Sequence, residues 1–425
     1  MKIIVTSIGT RGDMEPLLAI GEILKEKGHE VICLFPEQFR SLAEDSGFGF
    51  ASLGTSFIEM LNGTAGTIAM GGGKMGWKKM KAYLQLVSMQ QKVNKEMILL
   101  QEAVIEKEMP DRIVHNAKVM YPIIWGLKHR EERIWVSPVP FLHYVKNHSH
   151  VAFNGNYGSF INKLSYRLAN FGLIKTISGS LKWLSTPNAL TTKEIKKSLF
   201  ENKSIYTISP TLFERPDYWP NNIQVLGYHE RKKTTNWKPS EELAAFLQTH
   251  PKVILVTFGS MINTDPPEKT KIILDILERN NIPAIINTAA GGLIKPKNYN
   301  GGLFYFVNNI PYDWICPKLY AMIHHGGSGT THTAIKYGCA SLIIPHIIDQ
   351  YVWNKIIHQK GVGPLGIDVG RISVSKLEPK ILDLYTNPSY KKKAEEMGEK
   401  MMQESYRDEI YNAIVDLSNQ KHIYG

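Results

Sequence analysis

Between Met322 and Gly338 the chain reads MIHHGGSGTTHTAIKYG, which sets two histidines, a run of glycines, a serine and two threonines between an apolar run and a helix-like one. A junction of that kind suits an anion. Gly326, Gly327 and Gly329 let the backbone turn tightly and approach a ligand, and Ser328 and Thr330 add hydroxyl donors. A helix from about Thr330 supplies free amides and a positive dipole end to a diphosphate. His324 and His325 stand at the preceding strand end. A glycine-rich turn that merely joins strand to helix would use the same residues. Two familiar phosphate loops are excluded, because no G-x-x-x-x-G-K-[ST] occurs and GSGTTH lacks the last glycine of G-x-G-x-x-G, so ATPase and dehydrogenase readings both weaken.

Two further loops carry suitable groups. PHIIDQYVWN puts Asp349 and Gln350 at the start of another helix, where a carboxylate that accepts and an amide that donates and accepts can grip adjacent sugar hydroxyls. Asp349 as a plain helix cap is the competing reading. TFGSM places Gly259 and Ser260 after a strand on the same rim. His143, His148 and His150 are irregularly spaced, which favours surface or pocket histidines over a metal site.

The elements that must position these loops alternate along the chain. KIIVTSI, EVICLF, RIVHN and RIWVSPV read as strands in the first half; GTRGDME reads as a turn, and PLLAIGEILKEKG as a helix ending at Gly28. From Asn147 to Lys197 the pattern turns helical and aromatic. HERKKTTNWKPS (229–240) is charged, polar and linker-like. KVILVTFGS, IPAIINT, GLFYFVN, AMIHH and ASLIIP then restart the strands, with EKTKIILDILERN, THTAIKYG and QYVWNKIIHQKG as helices. A β-α-β alternation predicts parallel sheets whose ligands bind beyond the strands' carboxyl ends.

Length and composition agree with that organisation. A chain of 425 residues suits two domains of roughly 200 residues each. With 43% hydrophobic and 21% charged residues it reads as soluble and globular. Three scattered cysteines (Cys33, Cys316, Cys339), an N-terminus without signal-peptide character and no apolar stretch near the ~20 residues of a membrane span make the cytoplasm the expected compartment. The net charge of +11 includes a lysine-rich, aromatic segment, residues 74–83, with Lys74, Lys78, Lys79 and Lys81 among Met75, Trp77, Met80 and Tyr83. It fits either peripheral contact with an anionic membrane face or a solvated helix start. No zinc-finger spacing, RRM-like aromatic signature or arginine-rich run points to nucleic acid.

HHGGSGTT, G-x-A-x-x-I-x-P (Gly338 to Pro345), DQ and GVGP together resemble the donor-binding signature of family 1 glycosyltransferases of GT-B fold. GTRGDMEPLLAIGEILKEKGHEV, VTFGSM and NIPYDW resemble the branch of sterol glucosyltransferases and of enzymes that glycosylate glycopeptide and macrolide aglycones. The resemblance implies two Rossmann-like parallel-sheet domains facing across a cleft. They would be an acceptor-binding domain over 1–228, a linker over 229–240, a nucleotide-sugar-binding domain over 241–403 and a C-terminal helix over 404–425 crossing back to the first domain. It further implies that His325 and the amides of Gly327, Ser328, Gly329 and Thr330 hold a diphosphate. Asp349 and Gln350 would hold the sugar, Ile310 and Tyr312 would border the base, and Ser260 and Gly12 would lie near the donor. Asp13 would be the base that accepts the acceptor's proton, a role that competes with capping of the helix containing Glu15 and Pro16. His332 stands where the family has a small residue, and YRDE replaces its acidic pair plus glycine. No D-x-D occurs, which argues against a metal-clamped diphosphate. The expectation is an inverting, metal-independent transfer of a hexose, glucose from UDP-glucose, to a hydroxyl of a lipophilic small molecule, with no permanently bound cofactor. A UDP-N-acetylhexosamine epimerase of the same fold and a non-catalytic nucleotide-sugar-binding module are the alternatives.

Overall fold

In a computed structural model the structure is described for residues 1–70, 76–129, 132–140, 142–185, 190–232, 237–263 and 265–416. Seven strands form the first sheet: β1 (Lys2–Thr6), β2 (Glu30–Phe35), β3 (Gly49–Ser52), β4 (Arg112–His115), β5 (Arg133–Ser137), β6 (Ser204–Tyr206) and β7 (Ile223–Val225), in the order β3-β2-β1-β4-β5-β6-β7. Five form the second: β8 (Ile254–Thr257), β9 (Ala284–Asn287), β10 (Phe304–Val307), β11 (Ala321–His324) and β12 (Ala340–Ile343), in the order β10-β9-β8-β11-β12. Every pairing is parallel. Such sheets are covered on both faces, which is why the central strands carry unbroken apolar runs such as IIV and ILV. In each sheet the strand order reverses once, between β1 and β4 and between β8 and β11, and there the following loops part to leave a crevice.

Three strands escaped the sequence reading. β3, β6 and β7 are three or four residues long, too short to show a period. The first helix also differs from expectation, running over Arg11–Glu26 and so including most of GTRGDME. Its start is set by Thr10 and Asp13, which form a capping box, while Pro16 lies inside and leaves the Gly12 carbonyl without its helical donor. The helix of the glycine-rich junction likewise begins at Ser328, with Gly327 as its N-cap, rather than near Thr330.

The two sheets are joined by a shared core. Trp135, Leu142, Val151 and Tyr206 pack in one buried cluster with Val352, Trp353, Ile356 and Met397. At its edge stands His332, fully buried, its ring stacked on Tyr228 at 4.6 Å and edge-on to Trp353 at 4.9 Å. Ser209 N–H donates to His332 Nε2 at 3.2 Å, and His332 Nδ1 donates to the Ser328 carbonyl at 2.7 Å. The histidine that departs from the family pattern thus bridges the two sheets. Helix Arg407–Val415 returns to the first sheet's side and sinks Ile410 and Ile414 among Leu17, Ile20 and Leu24 of the first helix. Lys27 pairs with Asp408 at 3.1 Å, and His29 meets the Tyr411 hydroxyl at 3.3 Å.

Burial pushes the His332 pKa down to about 4, so the native protein holds this ring neutral. A base whose folded pKa is depressed loses its contribution to stability as pH falls from its unfolded value, near 6.5, towards the folded one. Thermal unfolding by calorimetry at stepped pH should therefore show a falling Tm below pH 6.5. The His332→Gln variant should lose less over the same range, flattened by up to about 1.4 kcal/mol per pH unit for one proton; an unchanged slope would remove His332 from the acid response.

Candidate active site

The crevice of the first sheet is built by the loops after β1 and β4. Asp13, at the third position of its helix, accepts the Thr10 backbone N–H on Oδ2 at 2.8 Å and the Lys118 ammonium on Oδ1 at 2.8 Å. Capping and a cleft-facing carboxylate therefore coexist, since each carboxylate oxygen keeps a second lone pair. The fit around it is close. A Cβ at Gly9, whose φ is +144°, would lie 2.0 Å from Asp13 Oδ2 and 2.8 Å from Lys118 Nζ. Gly12, beside Asp13, is exposed at the helix start. Asn116 braces the pair: its Nδ2 donates to Ser7 Oγ at 2.6 Å, Ser7 Oγ donates to the Asp13 carbonyl at 3.1 Å, and Lys118 N–H donates to Asn116 Oδ1 at 3.0 Å. The sequence reading missed Lys118. Its signal was the segment HNAKV directly after a strand whose neighbour in the sheet, β1, leads into Asp13.

The loops after β8, β11 and β12 build the opposing rim. His325 is buried with no hydrogen-bond partner for Nδ1 among the described residues. Glycines hold its ring on both sides, for a Cβ at Gly259 would come within 2.7 Å of Cε1 and one at Gly327 within 2.5 Å of Nε2. Burial, reinforced by His324 and His346, keeps the ring neutral, so it can act on an anion as an N–H donor and not as a cation. Positive character comes instead from helix Ser328–Lys336, whose first amides have no acceptor within the helix. Gly329 and Thr330 are half-buried in that first turn. The Ser328 hydroxyl has a different use, donating to the Pro138 carbonyl of the opposite rim at 2.9 Å. Ser260 is exposed in the turn after β8.

Asp349 is half-buried at the N-cap of helix Gln350–Gln359 and makes no capping hydrogen bond. Its pKa is pushed up to about 6, by burial first and then by the Asp13 carboxylate across the cleft, while Lys118 acts in the opposite sense. The charges of Asp13 and Lys118, on the first rim, thus act on Asp349 on the second. The preceding residue, Ile348, has φ +35°, a left-handed conformation that costs a β-branched residue on the order of 1–3 kcal/mol. Gln350 is turned inward, its Oε1 accepting the His346 and Ile347 amides at 2.8 and 3.2 Å. That bond holds the loop that presents Asp349.

The residues expected at the base lie on the floor and wall. Ile310 packs in the core with Leu255, Ile285 and Met322, which leaves its main chain for a ligand. Tyr312 is half-buried, with its hydroxyl 2.9 Å from Thr257 Oγ1. The three histidines read as surface or pocket groups are buried instead. His143 meets the Tyr206 hydroxyl through Nδ1 at 2.8 Å, and His148 and His150 pack against Tyr166. No group of three or more metal-ligating side chains occurs among the described residues. Phe141, the start of the aromatic segment, lies outside the described residues.

Two family models match the chain: the glycosyltransferase family 28 N-terminal domain over residues 3–109, and the erythromycin biosynthesis protein CIII-like C-terminal domain over residues 302–417. Two sterol 3-beta-glucosyltransferases of Arabidopsis thaliana are similar, at 28% and 27% identity over 95% and 90% of the chain. The chain spans 63% and 62% of their lengths. The same fold occurs in the glycotransferase of kitacinnamycin (TM-score 0.68, 14% identity, 97% of this chain and 99% of that one). It occurs too in the calicheamicin glycosyltransferase CalG4 (TM-score 0.68, 13% identity, 98% and 99%). The glycosyltransferase VinC, solved with dTDP, is a third (TM-score 0.64, 15% identity, 97% and 99%).

The coupling across the cleft is measurable. Carboxyl ¹³C NMR should place the Asp349 titration near pH 6. Asp13→Asn removes a like charge and should lower that midpoint, whereas Lys118→Met removes a favourable one and should raise it. Midpoints unmoved by both substitutions would mean the two rims are electrostatically independent.

Proposed function

The chain belongs to the family 1 glycosyltransferases of GT-B fold, and from that premise we propose that it moves a hexose, glucose from UDP-glucose, to a hydroxyl of a lipophilic small molecule, with inversion and without a metal. The observation that carries this reading is the shared core that joins the two sheets, with the Asp13–Lys118 pair on the rim of one and Asp349, at a helix N-cap, on the rim of the other. The donor's diphosphate would lie at the amino end of helix Ser328–Lys336 with the neutral His325 donating a hydrogen bond. Asp349, mostly ionised at pH 7, would accept hydrogen bonds from the sugar hydroxyls. Asp13, oriented by Thr10 and Lys118, would take the proton of the acceptor hydroxyl as its oxygen bonds to the anomeric carbon. The bond from that carbon to the phosphate oxygen breaks in the same step, and the charge that develops on the departing diphosphate falls where the helix amides point. In this scheme the amides and His325 do the work that a metal does elsewhere.

Asp13→Asn should lower transfer by on the order of 10²–10⁴-fold while UDP-glucose affinity, measured calorimetrically, stays within a few-fold. A loss below tenfold would leave Asp13 a capping residue and favour a non-catalytic binding module. His325→Ala should weaken UDP and UDP-glucose alike, because its partner is the diphosphate both share. Asp349→Ala should weaken UDP-glucose and spare UDP. Equal loss of UDP affinity in both variants would contradict the sugar role.

A further inference from the structure

Helix Ser159–Ser180 leaves an apolar stripe in water. Its inward face buries Asn162, Ser165, Tyr166, Ile177 and Ser180, while Phe160, Leu164, Leu168 and Phe171, at one-turn spacing, are 82%, 44%, 54% and 61% exposed. The first half of helix Trp77–Glu108 does the same, with Trp77, Met80, Leu84 and Val87 exposed at spacings of three and four. Of the twenty large apolar side chains exposed among the described residues, six lie in 77–89 and seven in 153–171. The two helices adjoin at a cavity of about 410 Å³, lined by Tyr83, Leu86 and Val87 from one and Lys175, Thr176 and Gly179 from the other. Apolar side chains left in water on this scale mark a surface made for a partner.

Charge identifies the partner. No Asp or Glu occurs between Glu59 and Glu96, a span with six lysines, or between Glu132 and Glu194, a span with seven lysines and arginines. Lys163, Arg167 and Lys175 are exposed along the apolar stripe of the second helix. We propose that these two helix faces form a docking surface for an anionic lipid bilayer, with the apolar side chains seated at the interface and the basic ones among the headgroups. A second copy of the chain fits poorly, since two such faces would bring like charges together with no carboxylate from either span between them. The face also exceeds the contact expected at residues 74–83. Lys74, Met75 and the side chains of Lys78 and Lys79 lie outside the described residues, and the stripe of helix Ser159–Ser180 extends the surface well beyond that segment. No helix among the described residues is long and apolar enough to cross a membrane, so the contact is peripheral.

Co-sedimentation of the full chain with vesicles of phosphatidylcholine alone, or of phosphatidylcholine with phosphatidylglycerol, tests this without donor or acceptor, so its outcome is independent of the transfer reaction. Binding should require phosphatidylglycerol and fall at high ionic strength. It should drop at least tenfold in Leu164→Glu/Leu168→Glu. In Lys163→Gln/Arg167→Gln/Lys175→Gln it should drop roughly fivefold per charge removed, with circular dichroism unchanged in both variants because all five side chains are exposed. Wild-type protein left in the supernatant of phosphatidylglycerol vesicles, or variants that bind as well as wild type, would overturn the proposal. So would a dimer, seen by sedimentation velocity and dissolved by the leucine substitutions, in a protein that ignores vesicles.

Discussion

Everything at the cleft depends on the buried junction that locks two parallel sheets face to face. A parallel sheet offers ligands only the crevice where its strand order reverses, and a lone crevice presents one set of loops. Here Trp135, Tyr206 and Leu142 on one side and Trp353, Val352 and Met397 on the other share a single core, and His332 ties its edge with one hydrogen bond to each side. The Ser328 hydroxyl adds a third, to the Pro138 carbonyl. The junction turns two half-sites towards each other. Helix Arg407–Val415 then packs against the first helix, whose N-terminus carries Asp13.

The division of labour follows from what each rim is made of. The second sheet's rim is rich in backbone donors, a helix N-terminus and a neutral histidine clasped by glycines, which suits an anion. The first sheet's rim offers a carboxylate held between a backbone amide and a lysine, which is chemistry for a proton. Burial and the Asp13 carboxylate raise the cost of ionising Asp349, and Lys118 offsets part of it. The strain at Ile348 and the inward turn of Gln350 show that the loop carrying Asp349 is held in place at some expense to the backbone.

The central strands were legible because strands covered on both faces are apolar without a break, and the loops were legible because glycine, histidine and hydroxyl residues cluster where a helix must start. β3, β6 and β7 were not, being too short for a pattern. The start of the first helix was hidden by Pro16, which signals a helix beginning and in fact lies in its second turn. Lys118 could not be found from spacing, since its pairing with Asp13 spans 105 positions and exists only because β4 lies beside β1. His332 drew notice as a misfit at its position; its purpose, a bond to Ser209, is a property of the junction and not of either half. The buried state of His143 was equally out of reach, because the rings that enclose it, Trp135, Phe200, Tyr206 and Trp219, come from elements far apart in sequence.

The central claim is that a single base on the first rim serves a sugar held on the second, so that the incoming oxygen displaces the diphosphate directly. The anomeric configuration of the product tests it most directly. With UDP-α-glucose as donor and a lipophilic alcohol as acceptor, the proton NMR coupling of the anomeric hydrogen should be the large diaxial value of a β-glucoside. An α-glucoside would contradict the account, since retention requires a second displacement or a different approach of the acceptor, and neither follows from a single base on the first rim.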